Sequence, residues 1–270
     1  PAFDPLIVHV SDLEQLYGLT PDRDPRIALL AEAFWPGPLT LVLEKASHVP
    51  DIVTSGLPTV GLRMPDHPVA QELIRTAGCP IAAPSANKFG RISPTEAWHV
   101  SKNLPEADYV LDGGPTRVGI ESTIIGLRPD GFVILRPGGI TREDLLALLP
   151  ESSGAPAPGS PEAPGMLASH YSPAKPFYLF SEALAGRIDP SRAGYIRFGG
   201  EVPLPFDRVI SPKQGADLRE YATGIFGAMH ELEASDVDVL VAQPVPETGI
   251  GIAIMDRLRK AAHDWETGAV

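Results

Sequence analysis

The chain has a single cysteine, Cys79, in 270 residues. That excludes an internal disulfide framework and the paired-cysteine spacing of a zinc site, and Cys79 reads as a small, buried apolar side chain. Long apolar runs are missing as well. None approaches the roughly 18 to 20 uninterrupted residues that a bilayer span needs, and no basic segment leads into a signal-type apolar core, so the cytoplasm is the expected compartment. Basic residues are scarce: 22 Lys and Arg against 34 Asp and Glu give a net charge of −12. Residues 1–150 contribute 12 − 18 = −6 and the remainder 10 − 16 = −6, so neither half is a basic module. This disfavours a nucleic-acid coat, whose affinity rests on neutralising phosphates. A small anion needs only a few convergent donors, and an acidic chain can still supply those. The sequence opens "PAFDPLIVHV" with no initiator Met, which predicts further residues upstream.

Familiar catalytic signatures are absent too. There is no G-x-x-x-x-G-K-[ST] or G-x-G-x-x-G phosphate loop, no Gly-x-Ser-x-Gly elbow, and no metal-ligand spacing among His67, His99, His170, His230 and His263. Serine-nucleophile hydrolysis and a metal held by protein side chains alone are therefore not expected. His9, in the apolar run "LIVHV", reads by itself as a hydrogen-bonded structural histidine. "GGPTRVGIEST", Gly113 to Thr123, is either a turn leading into a strand or a backbone pocket presenting the Ser122 and Thr123 hydroxyls to an anion.

What is present is an apolar share of 43%, enough for a packed core, punctuated by 30 prolines and 26 glycines. The one dense cluster, "PESSGAPAPGSPEAPG" (Pro150 to Gly165), has five prolines and no periodicity, and reads as a linker. Before it, "LIVHV", "LTLVLEKA", "TVGLRMP", "PIAAPSA", "DYVLDGG" and "STIIGLRPDGFVILRPG" read as strands, the last a hairpin turning at Pro129 to Gly131. "DPRIALLAEAFW", "HPVAQELIRTAG", "SPTEAWHVSKNL" and "TREDLLALLP" read as helices, with Ser93 or Thr141 as caps and Pro94 in a first helical position. After it, "KPFYLF", "AGYIRFG", "DRVISP" and "VDVLVAQPV" alternate with the helices "DLREYATGIFGAMHELEAS" and "GIGIAIMDRLRKAAHDW". The class is α/β, with a mixed sheet because one connection is a hairpin.

Two arginines share a context: Arg63 in "VGLRMP" and Arg136 in "ILRPGG" each close a predicted strand just before Pro or Gly. Open α/β sheets place ligands at strand ends, and a guanidinium there can hold a carboxylate or phosphate in bidentate fashion. With Ser85, Asn87 and Ser122 they suggest a site that positions anions without supplying a general base. Lys88 and Arg91 read as surface charges.

In order and spacing, "PLIVHV", "PGPLTLVL", "TVGLRMPDHP", "APSANKFGRISPT", "GGPTRVGIESTIIGL" and "LRPGGIT" resemble the YrdC-type family of L-threonylcarbamoyladenylate synthases. "APGMLASHYSP" and "GIGIAIMDRLRKAA" resemble its long form, which carries a second domain. The resemblance implies a YrdC-like twisted open mixed sheet with helices over residues 1–150, a linker and lid over 151–174, and a smaller Rossmann-like α/β domain over 175–270. It implies a nucleotidyltransferase that joins L-threonine, bicarbonate and ATP, with Mg²⁺, into threonylcarbamoyl-AMP and pyrophosphate. That product feeds the threonylcarbamoyladenosine modification of tRNA and its downstream machinery. By matched position, His9, Arg63, Ser85 and Ser122 would contact L-threonine, and Thr59, Asn87, Ser93 and Arg136 the nucleotide. His170 or Tyr171 of "HYSP" would reach it as part of a lid. The family also has an upstream threonine-site motif and a K-x-R signature, which would precede Pro1. Asp4 stands where the family usually has Asn, and Leu167 and Ala168 replace the basic and aromatic residues often found there. Two other activities fit the same fold: a double-stranded-RNA-binding module, which the charge disfavours, and a carbamoyladenylate-forming domain, which Arg63 and the linker disfavour.

Overall fold

The structure is a computed structural model that describes residues 4–154, 170–212 and 217–267. In chain order it contains β1 (Ile7–His9), α1 (Leu13–Leu19), α2 (Pro25–Phe34), β2 (Leu39–Glu44), α3 (Asp51–Thr54), β3 (Thr59–Arg63), α4 (Pro68–Ala77), β4 (Ile81–Ala83) and α5 (Ala97–Asn103). Then follow β5 (Thr123–Arg128), β6 (Gly131–Arg136), α6 (Arg142–Leu146), β7 (Phe177–Leu179), α7 (Glu182–Ala185) and β8 (Ala193–Ile196). The last elements are β9 (Arg208–Ile210), α8 (Leu218–Ala234), β10 (Val239–Ala242) and α9 (Ile250–Thr267). Contacts divide the described residues into two compact units that do not follow chain order. One is built from residues 4–84 and 121–154, the other from 85–120, 170–212 and 217–267.

The first unit is a six-stranded mixed sheet in the order β4-β1-β3-β2-β5-β6. β1 runs parallel to β3 and β2 parallel to β5, whereas β1–β4, β2–β3 and β5–β6 are antiparallel. Strand side chains alternate between faces, and both faces here are apolar. Val8, Leu41, Leu43, Leu62 and Ile125 join Leu16, Ile27, Leu30 and Leu145 from α1, α2 and α6, while Ile7, Ile124, Val133 and Leu135 cluster separately. At roughly 1.5–3 kcal/mol for each fully buried aliphatic side chain, this two-sided burial is the main term holding the sheet. The helices begin and end where local chemistry dictates. Pro68 opens α4 behind His67, whose ring accepts from the Val69 amide, and Gly78 closes it in the left-handed region at φ 66°.

The second unit is a four-stranded all-parallel sheet, β7-β10-β8-β9, packed with α8 and α9. Its core takes Ile92 and Ile120 from the early part of the chain and Tyr171 from the "HYSP" segment. Gly119, at φ 79°, seats the 115–120 segment on α8, because a Cβ there would stand 2.2 Å from the Ala222 carbonyl oxygen and 2.3 Å from Thr223 Cα. His99 and His230 stack in this unit, centroids 3.8 Å apart and planes 21° apart. His99 Nδ1 accepts from the Thr95 and Glu96 amides, which puts its proton on Nε2. His230 donates from Nε2 to the Ser93 carbonyl at 3.1 Å.

Both imidazoles are held neutral. Burial and the neighbouring His230 bring His99 down from 6.5 to about 4, and burial lowers His230 as well. A histidine whose folded pKa lies below its unfolded value leaves protons to be taken up only by the unfolded chain. The contribution is therefore complete above about pH 6.5 and is lost as pH falls toward about 4. Urea denaturation followed by circular dichroism is expected to show a lower midpoint at about pH 5 than at about pH 7, with the gap narrowed by His230→Phe. An equal gap in that variant would remove the pair as its source.

Several sequence expectations are corrected. "DYVLDGG" is not a strand: residues 108–114 form no ladder, Tyr109 and Leu111 are 92% and 64% exposed, and the Asp112 side chain turns the chain by accepting from the Gly114 amide. The helix expected from Ser93 and Pro94 starts at Ala97, where Glu96 and His99 form a reciprocal capping box. Ser93 instead lies buried behind it. Cys79 is exposed, because it follows the glycine that ends α4 and so leaves the buried face. The hairpin turns at Pro129 and Asp130, and Gly131 already belongs to β6. Thr141 does cap α6, its hydroxyl and Asp144 forming a second capping box. Most of the Pro/Gly-rich linker, including Leu167 and Ala168, lies outside the described residues.

Candidate functional site

In the first unit, four of the residues singled out by sequence meet at neighbouring strand ends. His9 and Arg63 are register partners on the parallel strands β1 and β3, both at their carboxyl ends. Arg136 closes β6 opposite Ile124, and Ser122 immediately precedes β5. Arg136 is buried and donates from Nη2 to the Ser122 carbonyl at 2.9 Å and to the Ser122 hydroxyl at 3.0 Å, and from Nε to the same carbonyl at 3.2 Å. Gly138 lets the turn after β6 lie against this segment: a Cβ would stand 2.4 Å from Glu121 O and Thr123 N and 2.5 Å from Ser122 C. Thr59 does not join them, since it starts β3 where Arg63 ends it, roughly 13 Å away at the rise of a strand.

The electrostatics of these strand ends are set by burial of charged side chains close to one another. Burial lowers Arg63 to about 10; Arg136 adds to that shift and Asp66 opposes it. Among the described residues the Arg63 guanidinium makes one hydrogen bond, from Nε to the Gly37 carbonyl at 3.1 Å. His9 falls to about 4 through burial and the proximity of Arg63, and stays neutral. Its Nδ1 donates to the Ile81 carbonyl at 3.3 Å, which makes Nε2 the acceptor nitrogen. Asp4 is pushed up by burial, with Arg136 pulling in the opposite sense. Two guanidiniums, one neutral imidazole and a hydroxyl can bind and orient an anion; they contain no activated nucleophile.

In the second unit, Ser85, Asn87 and Ser93 lie on the loop between β4 and α5. Asn87 stitches that loop, its amide nitrogen donating to the Lys88 and Arg91 carbonyls at 2.9 and 3.0 Å, while Asn87 Oδ1 is buried with no partner among the described residues. The "HYSP" segment packs on the same loop. Ser172 N donates to Gly90 O at 2.7 Å, Arg91 Nη1 to Pro173 O at 3.0 Å, and the Phe89 and His170 rings meet edge-on at 6.0 Å. Arg91, read from sequence as a surface charge, is thus a tether between the two segments. Tyr171 is 1% exposed, adopts φ 65°, and has the Arg257 guanidinium 5.3 Å from its ring centroid. A bulky residue in the left-handed region is strained and persists where packing over-determines it.

Two supporting residues escaped sequence reading. Gly37 supplies the carbonyl that holds Arg63. Thr40 is fully buried in β2 with its hydroxyl 2.8 Å from that of Ser122. A hydroxyl inside the apolar run "LTLVL" was the available signal.

Comparison with known proteins divides the chain once, near residue 139, and so differs from the contact division, which groups residues 85–120 with the C-terminal part. Residues 1–138 match a family described as "Telomere recombination", and residues 140–263 match "Threonylcarbamoyl-AMP synthase, C-terminal domain". The chain is 40% identical over 278 aligned positions to the threonylcarbamoyl-AMP synthase of Bacillus subtilis, covering 97% of this chain and 80% of that protein. It is 38% identical to the enzyme of the same name from Pyrococcus abyssi, covering 97% and 81%. The crystal structure of P. abyssi Sua5 complexed with L-threonine superposes with a TM-score of 0.84 at 37% identity, again over 97% of this chain and 81% of that one.

Proposed function

This chain belongs to the threonylcarbamoyl-AMP synthase family, and on that premise we propose that it forms threonylcarbamoyl-AMP and pyrophosphate from L-threonine, bicarbonate and ATP. The amine of threonine adds to the carbon of bicarbonate and water leaves, giving an N-carboxylate. One oxygen of that carboxylate attacks the α-phosphorus of ATP, a new P–O bond forms, and the bond to the departing pyrophosphate breaks. The nucleophile is part of the substrate, so the protein's task is to align anions and offset developing charge. The observation that carries this reading is the pair of strand-end arginines, Arg63 and Arg136, the first buried near the second and the second bonded to Ser122.

The roles are those that the family resemblance implies by matched position. Arg63 pairs the threonine carboxylate, neutral His9 accepts from a threonine donor through Nε2, and Ser122 and Ser85 complete the amino-acid contacts. Arg136, Thr59, Asn87 and Ser93 serve the nucleotide, with His170 or Tyr171 contributing from the "HYSP" segment. Among the described residues there is no group of three His, Cys, Asp or Glu side chains able to hold a metal ion. We assign Mg²⁺ to the reaction as the counter-ion of ATP, and no step is routed through a protein-held metal. The product is the donor for threonylcarbamoyladenosine formation in tRNA. Along the chain we assign the catalytic part to residues 1–150, the linker and lid to 151–174 and the second domain to 175–270. Among the described residues no helix is long and apolar enough to cross a membrane; we place the enzyme in the cytoplasm.

The test is pyrophosphate release by the full-length protein with each substrate omitted in turn. Release is expected only when threonine, bicarbonate and ATP are all present, together with an AMP-linked threonine product by mass spectrometry. Release that is indifferent to threonine would overturn the assignment.

A further inference from the structure

We propose that Thr40 is a positioning residue for the threonine site: its hydroxyl donates to Ser122 and thereby holds the Ser122 proton available for the amino-acid substrate. The inference rests on the reading of Ser122 as a threonine contact. It begins with proton accounting at two buried hydroxyls, Thr40 at 0% and Ser122 at 2% exposure, whose oxygens are 2.8 Å apart. A guanidinium can only donate, so Arg136 Nη2, 3.0 Å from Ser122 Oγ, occupies one lone pair of that oxygen. Two arrangements remain. If Ser122 donated to Thr40, the single serine proton would be consumed inside the protein. The Thr40 proton would then be left without an acceptor in the middle of a sheet, since Ser122 is its one hydrogen-bond partner among the described residues. An unmet donor in so buried a place is costly, and the other arrangement leaves one too, on Ser122 at 2% exposure, unless the substrate accepts it; Ser122 and not Thr40 is read as the threonine contact, and that reading selects the second arrangement. If Thr40 donates, Ser122 accepts twice, from Arg136 and Thr40, and its own proton stays uncommitted.

The neighbouring strand leaves room for the Thr40 methyl. This Cγ2 methyl lies against Gly61 of β3, 3.4 Å from where a Cβ on that glycine would stand. The backbone cooperates, because β2 and β5 are parallel with Leu39 opposite Thr123, and the Thr123 amide donates to the Pro38 carbonyl at 2.9 Å. Thr40 therefore reaches Ser122 across 82 residues of sequence. Ser122 is held from three sides: its carbonyl and hydroxyl by Arg136, its backbone by Gly138, and its proton direction by Thr40.

Thr40→Val keeps the shape and removes the donor; Thr40→Ser keeps the donor and removes the methyl. In the full-length protein Thr40→Val is expected to raise the KM for threonine by about five- to tenfold, the size of one net hydrogen bond. The KM for ATP and the melting temperature should stay close to wild type, and Thr40→Ser should restore the threonine KM to within about twofold. Ser122→Ala separates this inference from the reading beneath it. If Ser122→Ala leaves the threonine KM unchanged, the assignment of Ser122 falls. If Ser122→Ala raises it while Thr40→Val does not, the Thr40 inference alone falls. When both hold, the double variant should be no worse than Ser122→Ala, because the two hydroxyls act as one unit; additive losses would refute the coupling. Should Thr40→Val fail to fold, Thr40→Cys, a poor donor of similar size, provides the same contrast with Thr40→Ser.

Discussion

Replacing Arg63 by Met is expected to raise the KM for L-threonine by about 100-fold, equivalent to about 2.7 kcal/mol, while the KM for ATP changes little. Arg63 is the guanidinium whose burial and nearness to Arg136 have lowered its pKa to about 10. Among the described residues Asp66 opposes that shift and one carbonyl bond is made; a substrate carboxylate would supply a closer, bidentate counter-charge. Lysine is a poor substitute because an ammonium cannot present a planar pair of donors, so Arg63→Lys should recover only part of the loss. The same electrostatics give a second, opposite readout. Removing a desolvated cation near a second one should leave the melting temperature of the ligand-free protein unchanged or raise it, a trade between stability and function expected at binding sites. A marked fall in melting temperature would mark Arg63 as a structural ion, and equal losses for both substrates would refute its assignment to threonine.

Arg136→Ala should behave differently, because this arginine is built into the fold. It makes three hydrogen bonds to Ser122 from a position 4% exposed. Its loss leaves the buried Ser122 carbonyl without these donors and the hydroxyl with Thr40 alone, which should lower unfolding free energy by about 2–4 kcal/mol in urea titrations. It should also raise the KM for ATP, through the lost phosphate partner, and the KM for threonine, through the loosened Ser122. Arg63→Met thus separates the two substrates and Arg136→Ala couples them. If Arg136→Ala moved the ATP constant alone, with stability intact, the Ser122 bonds would be incidental to the site.

The alternation of apolar residues in β1, β2, β3, β5 and β6, the proline and glycine limits of α4, and the Thr141 cap of α6 were all legible, because each depends on residues a few positions apart. So were Arg63 and Arg136, since a charge that ends an apolar run before Pro or Gly is a local pattern. The errors were of another kind. "DYVLDGG" has the composition of a strand, but a strand exists only within a ladder, and residues 108–114 form none. Ser93 looked like a cap until Glu96 and His99 took that place, leaving the Ser93 carbonyl to His230, 137 residues on.

By itself, then, the sequence determined the α/β class, most of the longer elements though not α1, α3 or α7, the family and the residues worth testing, all of them encoded in short-range periodicity, turn chemistry and ordered motifs. Tertiary structure alone decided that residues 85–120 group by contact with the C-terminal part of the chain, that Thr40 meets Ser122, and that Arg63 is buried near Arg136. Those three properties depend on which distant segments share a buried, low-dielectric space, and the pattern within either segment carries no record of its partner.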